Sequence, residues 1–333
     1  MAQQVAVDVG YGYTKALSDA GGRCCFPSVL APVRGGGELA GALGGEAPRH
    51  RVSIQRPDGG EDLWAGRAAL AAGGRRSWNT GAASRPDYEA LILAAVALVG
   101  AEGAVDLTAG LPVSVWQQPA ERRALRERLR GLGAWVSADG GEARYVEVAA
   151  CRVLPQALGA YVAALHAEPA LSRGSYGICD AGWRTTDLAL LLPDEEGFPV
   201  PDDLRSGSVD VGVGLAYDAV RQALERETGA LVDEAVVLEA LDRDGRLKVR
   251  GAEHDLREPF AEALATVAER VEAATRRLWS DRLEFLDALL VAGGGGVALL
   301  PFLHLPGARP VPGGVFANAE GFLRHALDQA PAR

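Results

Sequence analysis

Two short stretches of this chain share one device. In "VAVDVGYGYTKAL" (Val5 to Leu17) and "YGICDAGWRTTDLALL" (Tyr176 to Leu191), apolar residues run up to a lone aspartate, the chain turns on glycine, and a strand resumes. Asp-x-Gly between two strands is ordinary turn chemistry when it occurs once. Its recurrence constrains the fold more tightly, because each copy carries a carboxylate (Asp8, then Asp180) to the tip of a buried hairpin. The chain holds two copies of one theme, an Asp-containing hairpin followed by further strands and then helices. Alternating strands and helices favour an α/β architecture over a sandwich.

The chain's 333 residues suit about two domains of roughly 150 residues each. The first hairpin is expected as a strand over Gln4 to Val9, a turn at Gly10 to Gly12 and a strand over Thr14 to Ser18. Gly35 to Pro48 reads as a mobile, glycine-rich loop. Glu89 to Ala101 is helical by composition, and Ala104 to Trp116 opens as a buried strand. Gln118 to Gly133 has apolar residues at helical spacing beside a basic face, and reads as a solvated surface helix. A strand then runs to Pro155, which suits the first turn of a helix beginning near Gln156. After "SGSVDVGVGLAYDAV" (Ser206 to Val220) the chain is expected to be helical and charge-rich to about Asp281. Leu283 to Leu303 reads as a strand, a four-glycine turn and a helix, and Phe316 to Leu327 as the last helix.

Composition excludes several classes of function. A formal net charge of −10 argues against a broad duplex-DNA footprint, so direct nucleic-acid binding is not expected. Cys24, Cys25, Cys151 and Cys179 show no C-x-x-C spacing and no following His pattern, which argues against zinc. Cys151 and Cys179 lie in apolar contexts and read as buried thiols. No signal peptide precedes the first strand, and no apolar run reaches the roughly 18 residues of a membrane span. A cytoplasmic setting without membrane contact is expected.

The chemistry sits in three glycine turns. In Asp8-Val9-Gly10-Tyr11-Gly12-Tyr13-Thr14-Lys15, two glycines permit a tight turn whose backbone N–H groups can point at an anion. Lys15 adds a point charge suited to phosphate. A carboxylate aimed at phosphate needs a divalent cation between them, and magnesium takes one or two carboxylates beside phosphate oxygens. The second hairpin supplies Asp180, with Gly182 in its turn and Thr185 and Thr186 as hydroxyl donors. Gly293-Gly294-Gly295-Gly296, between a buried strand and a helix, would let a flat nucleoside approach the backbone. Each turn alone is a weak signal; the three in this order are not.

The set resembles the actin-like ATPase superfamily (actin, heat-shock chaperone ATPases, sugar kinases), and most closely the bacterial plasmid-segregation actins of the ParM/StbA and Alp group. "FPSVLAP" (Phe26 to Pro32), "GLPVSVW" (Gly110 to Trp116), "VLPQALGAYV" (Val153 to Val162), "GVGLAYDAV" (Gly212 to Val220) and "FANAEGF" (Phe316 to Phe322) carry it over nearly the whole chain. It implies an actin-like fold of two duplicated ribonuclease-H-like domains flanking a nucleotide cleft, each with a smaller subdomain. Domain I would take residues 1–154 and the C-terminal helix 316–330, with its small subdomain over about 21–85. Domain II would take 155–315, with its small subdomain over about 215–282.

Position by position, the resemblance implies that Asp8 and Asp180 approach hydrated magnesium. Gly10, Tyr11, Gly12 and Lys15 would contact the β- and γ-phosphates, with Tyr13 in the same nucleotide-binding loop. Gly182, Thr185 and Thr186 would lie around the phosphates, and Gly293, Gly294 and Gly295 would form the adenosine loop. Gln156 falls where the family positions the attacking water; the alternative is a glutamine that caps helix backbone. Asp218, Arg221 and Gln222 sit on the helix expected to face the base, Arg221 being taken as the nucleotide contact. Trp183 and Arg184 stand where the family often has small residues, and Trp183 either packs on a neighbouring subunit or fills the domain surface.

The function so implied is a protein that binds ATP (or GTP) with Mg²⁺, assembles with itself into filaments and hydrolyses ATP after assembly. Its task would be DNA or plasmid segregation through a DNA-binding adaptor protein. Glutamine is no general base at neutral pH, so Gln156 would align water rather than deprotonate it. Hydrolysis is therefore expected to be slow in the monomer and faster in the filament. The alternatives are a sugar-kinase-like phosphotransferase, for which no convincing acceptor-site aspartate is evident, and a nucleotide-binding regulator that does not polymerise. Exposed apolar residues on contact loops would discriminate, and Trp64, Trp78 and Phe260 are the candidates.

Overall fold

Val5, Ala6, Val7 and Val9 are all buried, the pattern of a strand covered on both faces and paired on both edges. That strand anchors the computed structural model, which describes residues 2–34, 50–76 and 86–329. The expected loop over Gly35 to Pro48, Trp78 and part of the 21–85 subdomain lie outside the described residues. The chain forms two compact units, residues 1–163 with 316–333, and residues 164–315.

In the first unit the strands are β1 (Gln3–Val9), β2 (Tyr13–Ser18), β3 (Arg23–Pro27), β4 (Leu30–Pro32), β5 (Arg51–Arg56), β6 (Gly59–Ala65), β7 (Gly103–Leu111), β8 (Gly133–Ala138) and β9 (Arg144–Pro155). Among the described residues they make a nine-stranded sheet of order β3-β2-β1-β7-β9-β8-β5-β6-β4. β1 runs antiparallel to β2 and parallel to β7, and β7 runs parallel to β9. Helix α1 (Tyr88–Leu98) is apolar almost all round and buried accordingly, at Tyr88 and from Ala90 through Val96. Helix α2 (Pro119–Leu129) buries only Leu125 and Leu129, as the surface-helix reading expects. Trp64, one of the candidate contact residues, is core, because β6 turns its C-terminal half inward.

One expectation fails at the end of β9. Pro155 closes the strand instead of opening a helix, and α3 (Leu158–Ala167) begins only after a turn. The Gln156 amide donates to the Leu111 carbonyl at 2.7 Å, which holds this residue in the sheet's pairing. Ala157 takes a left-handed φ of 66°, so no helix can run through it. The cap comes from far along the chain: Asn318 Oδ1 accepts from the backbone amides of Ala157 at 3.1 Å and Ala160 at 3.0 Å. Asn318 belongs to the C-terminal helix, Ala317–Asp328, which lies in the first unit against β1 and β7. Gly321 and Gly159 let the two helices touch, since a Cβ on Gly321 would lie 1.8 Å from the Gly159 carbonyl oxygen.

The second unit repeats the pattern. Its strands are β10 (Tyr176–Ala181), β11 (Thr186–Pro193), β12 (Pro199–Pro201), β13 (Gly207–Val209), the separate hairpin β14 (Arg246–Val249) and β15 (Ala252–Asp255), then β16 (Ala288–Ala292) and β17 (Ala308–Pro310). β10 runs antiparallel to β11 and parallel to β16, as β1 does to β2 and β7. The helices are α4 (Gly214–Thr228), α5 (Glu234–Arg243), α6 (Arg257–Trp279) and α7 (Gly293–Leu299). A small core of its own, Val220, Leu224, Val237, Ala240 and Leu256, joins α4, α5 and the start of α6. Phe260 packs at its rim against Tyr217, with ring centroids 4.6 Å apart, and so is no free contact residue.

Two further readings change here. The stretch expected to be helical to Asp281 is interrupted by the β14–β15 hairpin, because Gly245, Arg250 and Gly251 all take positive φ and break the helix. The four glycines after β16 form no open turn: they are the first turn of α7. Among the described residues no helix is long and apolar enough to cross a membrane.

Candidate functional site

Parallel pairing in the order β1-β7-β9 brings the C-terminal ends of β1 and β9 to one edge of the first unit's sheet. Asp8, near the end of β1, therefore meets Gln156, just past β9, whose Nε2 donates to Asp8 Oδ1 at 2.6 Å. Antiparallel register sets Lys15 directly opposite, and its Nζ lies 3.1 Å from Asp8 Oδ2. Asp8 is 2% exposed, and a carboxylate so buried needs such hydrogen-bond partners. The structure thus brings together three residues singled out from sequence, and gives the Gln156 side chain a partner other than helix backbone.

The glycine loop between β1 and β2 is pinned from below. The Gly10 amide donates to the Tyr13 carbonyl at 3.1 Å, closing the turn. Ser28 Oγ donates to the Gly10 carbonyl at 2.7 Å and lies 2.8 Å from Thr14 Oγ1, while its amide donates to the Gly12 carbonyl at 2.9 Å. Arg76, buried, donates to the same Gly12 carbonyl, and its guanidinium stands 5.6 Å over the Tyr13 ring. Sequence reasoning missed both residues. Ser28 had a signal, as the one polar residue in "FPSVLAP"; Arg76 had none. Tyr11 and Tyr13 are half-buried on this loop.

In the second unit, Asp180 is 7% exposed and sits opposite Asp187 in the β10–β11 register. Asp187 is also buried and accepts a hydrogen bond from Ser208. The equivalent cross-strand pair in the first unit joins a carboxylate to an ammonium; here it sets two carboxylates on one sheet face. Asp187 was not among the residues singled out, although "TTDLALL" places it at the start of an apolar run, where a charge is costly. The Gly182 amide donates to the Thr185 carbonyl at 2.8 Å and closes this loop. Thr185 is half-buried, but Thr186 is fully buried and donates to the Val211 carbonyl at 2.7 Å. A hydroxyl has one proton to give, so Thr186 holds the loop and is no donor to a ligand in this geometry.

Trp183 is buried in its own unit, stacked on Tyr217 at 4.7 Å, with Gly212 and Gly214 against its backbone and ring. It fills the unit rather than reaching for a neighbour. The glycines of α7 serve the same hairpin: a Cβ on Gly293 would lie 2.4 Å from Asp180 Oδ1, and one on Gly295 2.7 Å from the carbonyl oxygens of Ala181 and Gly182. A Cβ on Gly294 would meet, among the described residues, just Val315 Cγ1, at 3.6 Å. Arg221 is engaged on its own helix by Asp218 at 3.3 Å and Glu225 at 3.0 Å, and Gln222 is exposed.

Each hairpin offers a carboxylate with hard oxygens, Asp8 in the first unit and Asp180 in the second, a donor type that suits magnesium. Magnesium keeps its waters and suits one or two carboxylates beside phosphate better than an all-protein cage. Cys25 stands opposite Lys15 in the β2–β3 register; burial raises its thiol pKa, while Lys15 pulls it down and Asp8 pushes it up.

Comparison with known proteins agrees with this geometry. Residues 6–159 match the family model for the N-terminal domain of actin-like proteins, and residues 178–304 the C-terminal model of the MreB-like archaeal actin homologue. An archaeal actin homologue of Thermoplasma acidophilum is 28% identical over 298 residues, 87% of each chain. A 15-stranded ParM filament from Clostridium botulinum superposes with a TM-score of 0.86 at 19% identity, covering 98% of this chain and 99% of that one. An archaeal actin homologue in complex with ADP gives 0.77 at 24% identity, covering 99% and 100%. The curated relatives in sequence are archaeal, whereas ParM stands among the neighbours in structure. Matched in each half by a model of actin-like proteins and carrying a buried aspartate hairpin in each, the chain has the actin-like fold that the ParM filament shares.

Proposed function

We propose that this chain binds ATP with magnesium through its two aspartate hairpins, assembles into filaments and hydrolyses ATP after assembly. The observation that carries the reading is the hydrogen bond from Gln156 to Asp8, with Lys15 on the other carboxylate oxygen. It fixes the Gln156 carboxamide with its N–H on Asp8, leaving the amide oxygen to accept from a water. Glutamine cannot take the proton at neutral pH, so it orients the nucleophile, and the chemistry depends on positioning and charge neutralisation. Lys15 supplies positive charge to the phosphates, and the loop from Gly10 to Tyr13, pinned by Ser28 and Arg76, presents backbone to them. Bound magnesium would neutralise phosphate charge, held through water by Asp8 and Asp180. Gly182 and Thr185 would border the phosphates, and Gly294 with Arg221 the nucleoside; Gly293 and Gly295 bring the hairpin and α7 together. GTP is the alternative nucleotide. Filament assembly follows the ParM neighbour, and DNA segregation through a DNA-binding adaptor is the task such a filament would serve.

Sedimentation with ATP, a non-hydrolysable analogue, ADP or no nucleotide, each with Mg²⁺ and followed by negative-stain imaging, tests this. Filaments with ATP or the analogue, and fewer with ADP, support it. Nucleotide binding without any pellet overturns it in favour of a regulator that does not polymerise.

A further inference from the structure

In "GVGLAYDAV" (Gly212 to Val220) two glycines stand one residue apart, and a tyrosine follows the second by three, one helical turn later on the same face. The Trp183 side chain lies along that face. A Cβ on Gly214 would lie 2.6 Å from the indole Nε1, and one on Gly212 2.5 Å from the Trp183 carbonyl oxygen, so both positions are shaped to this one residue. The backbone is joined as well. The Gly214 amide donates to the Trp183 carbonyl at 2.7 Å, and the Val213 amide to the Gly182 carbonyl at 3.1 Å. Amides at the start of a helix have no acceptor within it, so the hairpin loop caps α4. Helix α4 cannot shift without carrying the Gly182 and Trp183 carbonyls along. The contact then continues through rings. Trp183 stacks on Tyr217 with centroids 4.7 Å apart, and Tyr217 meets Phe260 at 4.6 Å. Phe260, in the first turn of α6, packs on the small core that joins α4, α5 and α6. Three rings in a row thus connect the turn of the hairpin to that core.

We propose that Trp183, Tyr217 and Phe260 are positioning residues for the second hairpin, and that this row of rings fixes Gly182 and Thr185 where they border the phosphates. This inference rests on the nucleotide reading above. It makes ATP affinity depend on Phe260, which belongs to a separate core and has no part in the phosphate loops. Aromatic pairs hold preferred offset or edge geometries, so removing a ring at one end of the row changes where the next one settles. A close-packed interior transmits such a shift to its neighbours. The two carbonyls bonded to α4 then deliver it to the loop.

The test is calorimetric titration of the full chain with a non-hydrolysable ATP analogue and Mg²⁺, at protein concentrations that do not pellet. Phe260→Ala is expected to weaken binding about tenfold, the scale reached by residues that act on a site without touching its ligand. Phe260→Tyr keeps the ring and binds as wild type. The double variant Trp183→Ala/Phe260→Ala binds no more weakly than Trp183→Ala alone, because the two residues act through one row. Val237→Ala opens the same core without removing a ring; it lowers the urea midpoint and leaves affinity unchanged. Should Phe260→Ala fail to fold, Tyr217→Leu breaks the row at its middle, and the same loss of affinity is expected. Wild-type affinity in the ring-removing variant, a double variant whose loss is the product of the two single losses, or equal weakening by Val237→Ala overturns the row and leaves the nucleotide reading standing. A wild-type chain that binds no nucleotide overturns both.

Discussion

Asp8 shows how much one buried carboxylate organises. Its two oxygens take Lys15 and Gln156, and these are the groups the proposed chemistry needs most. Replacing Gln156 by alanine is expected to slow phosphate release from filaments by at least about tenfold, some 1.4 kcal/mol in barrier, while leaving ATP affinity nearly unchanged. Single-turnover assays on pelleted protein separate the two quantities. Ser28→Ala removes one hydroxyl from the Gly10 carbonyl and Thr14, and is expected to cost about 1 kcal/mol and to weaken nucleotide binding. Paired urea unfolding and nucleotide titration read both effects. Burial pushes the thiols of Cys24, Cys151 and Cys179 up to about 12. Native protein at pH 8 is therefore expected to expose at most half-buried Cys25 to a thiol reagent, and all four cysteines only when unfolded.

Among the elements, the entry to α3 is the most dependent on distant residues. Asn318 reaches it across 161 positions of sequence, and Gly159 and Gly321 bring the helices close enough for it to do so. Asn318→Ala leaves two buried amides without their acceptor and is expected to cost about 2 kcal/mol, read as a lower urea midpoint. Gly321→Ala should cost more, because the new methyl meets backbone that has no rotamer to yield. Helix α7 makes the same point in the second unit. Its glycines looked like an open turn because four in a row have poor helix propensity, about 1 kcal/mol each against alanine. Close approach to the Asp180 hairpin overrides that propensity, since any side chain on Gly293 or Gly295 would enter the loop.

For the whole molecule, the buried thiols predict how stability depends on pH. Each stays protonated in the fold to about pH 12 but ionises near pH 9 once unfolded. The unfolded chain then binds fewer protons, so stability falls as pH rises through this window, by up to about 1.4 kcal/mol per pH unit for each thiol. Thermal melts from pH 8 to 11 check the slope, and a Cys151→Ser variant should flatten it. What could be known before any fold was seen is the repeated plan: two aspartate hairpins, the strands and helices after them, and the residues Asp8, Lys15, Gln156 and Asp180. Hairpins are legible because apolar pattern and turn chemistry act between neighbours in sequence. The start of α3, the helical glycines, the burial of Trp64, the β14–β15 hairpin, and the roles of Ser28, Arg76 and Asp187 were decided by the fold. Most of these depend on which distant backbone stands within a few ångströms, and local propensities of about 1 kcal/mol per residue are outweighed by the cost of leaving buried polar groups unpaired or of forcing atoms to overlap.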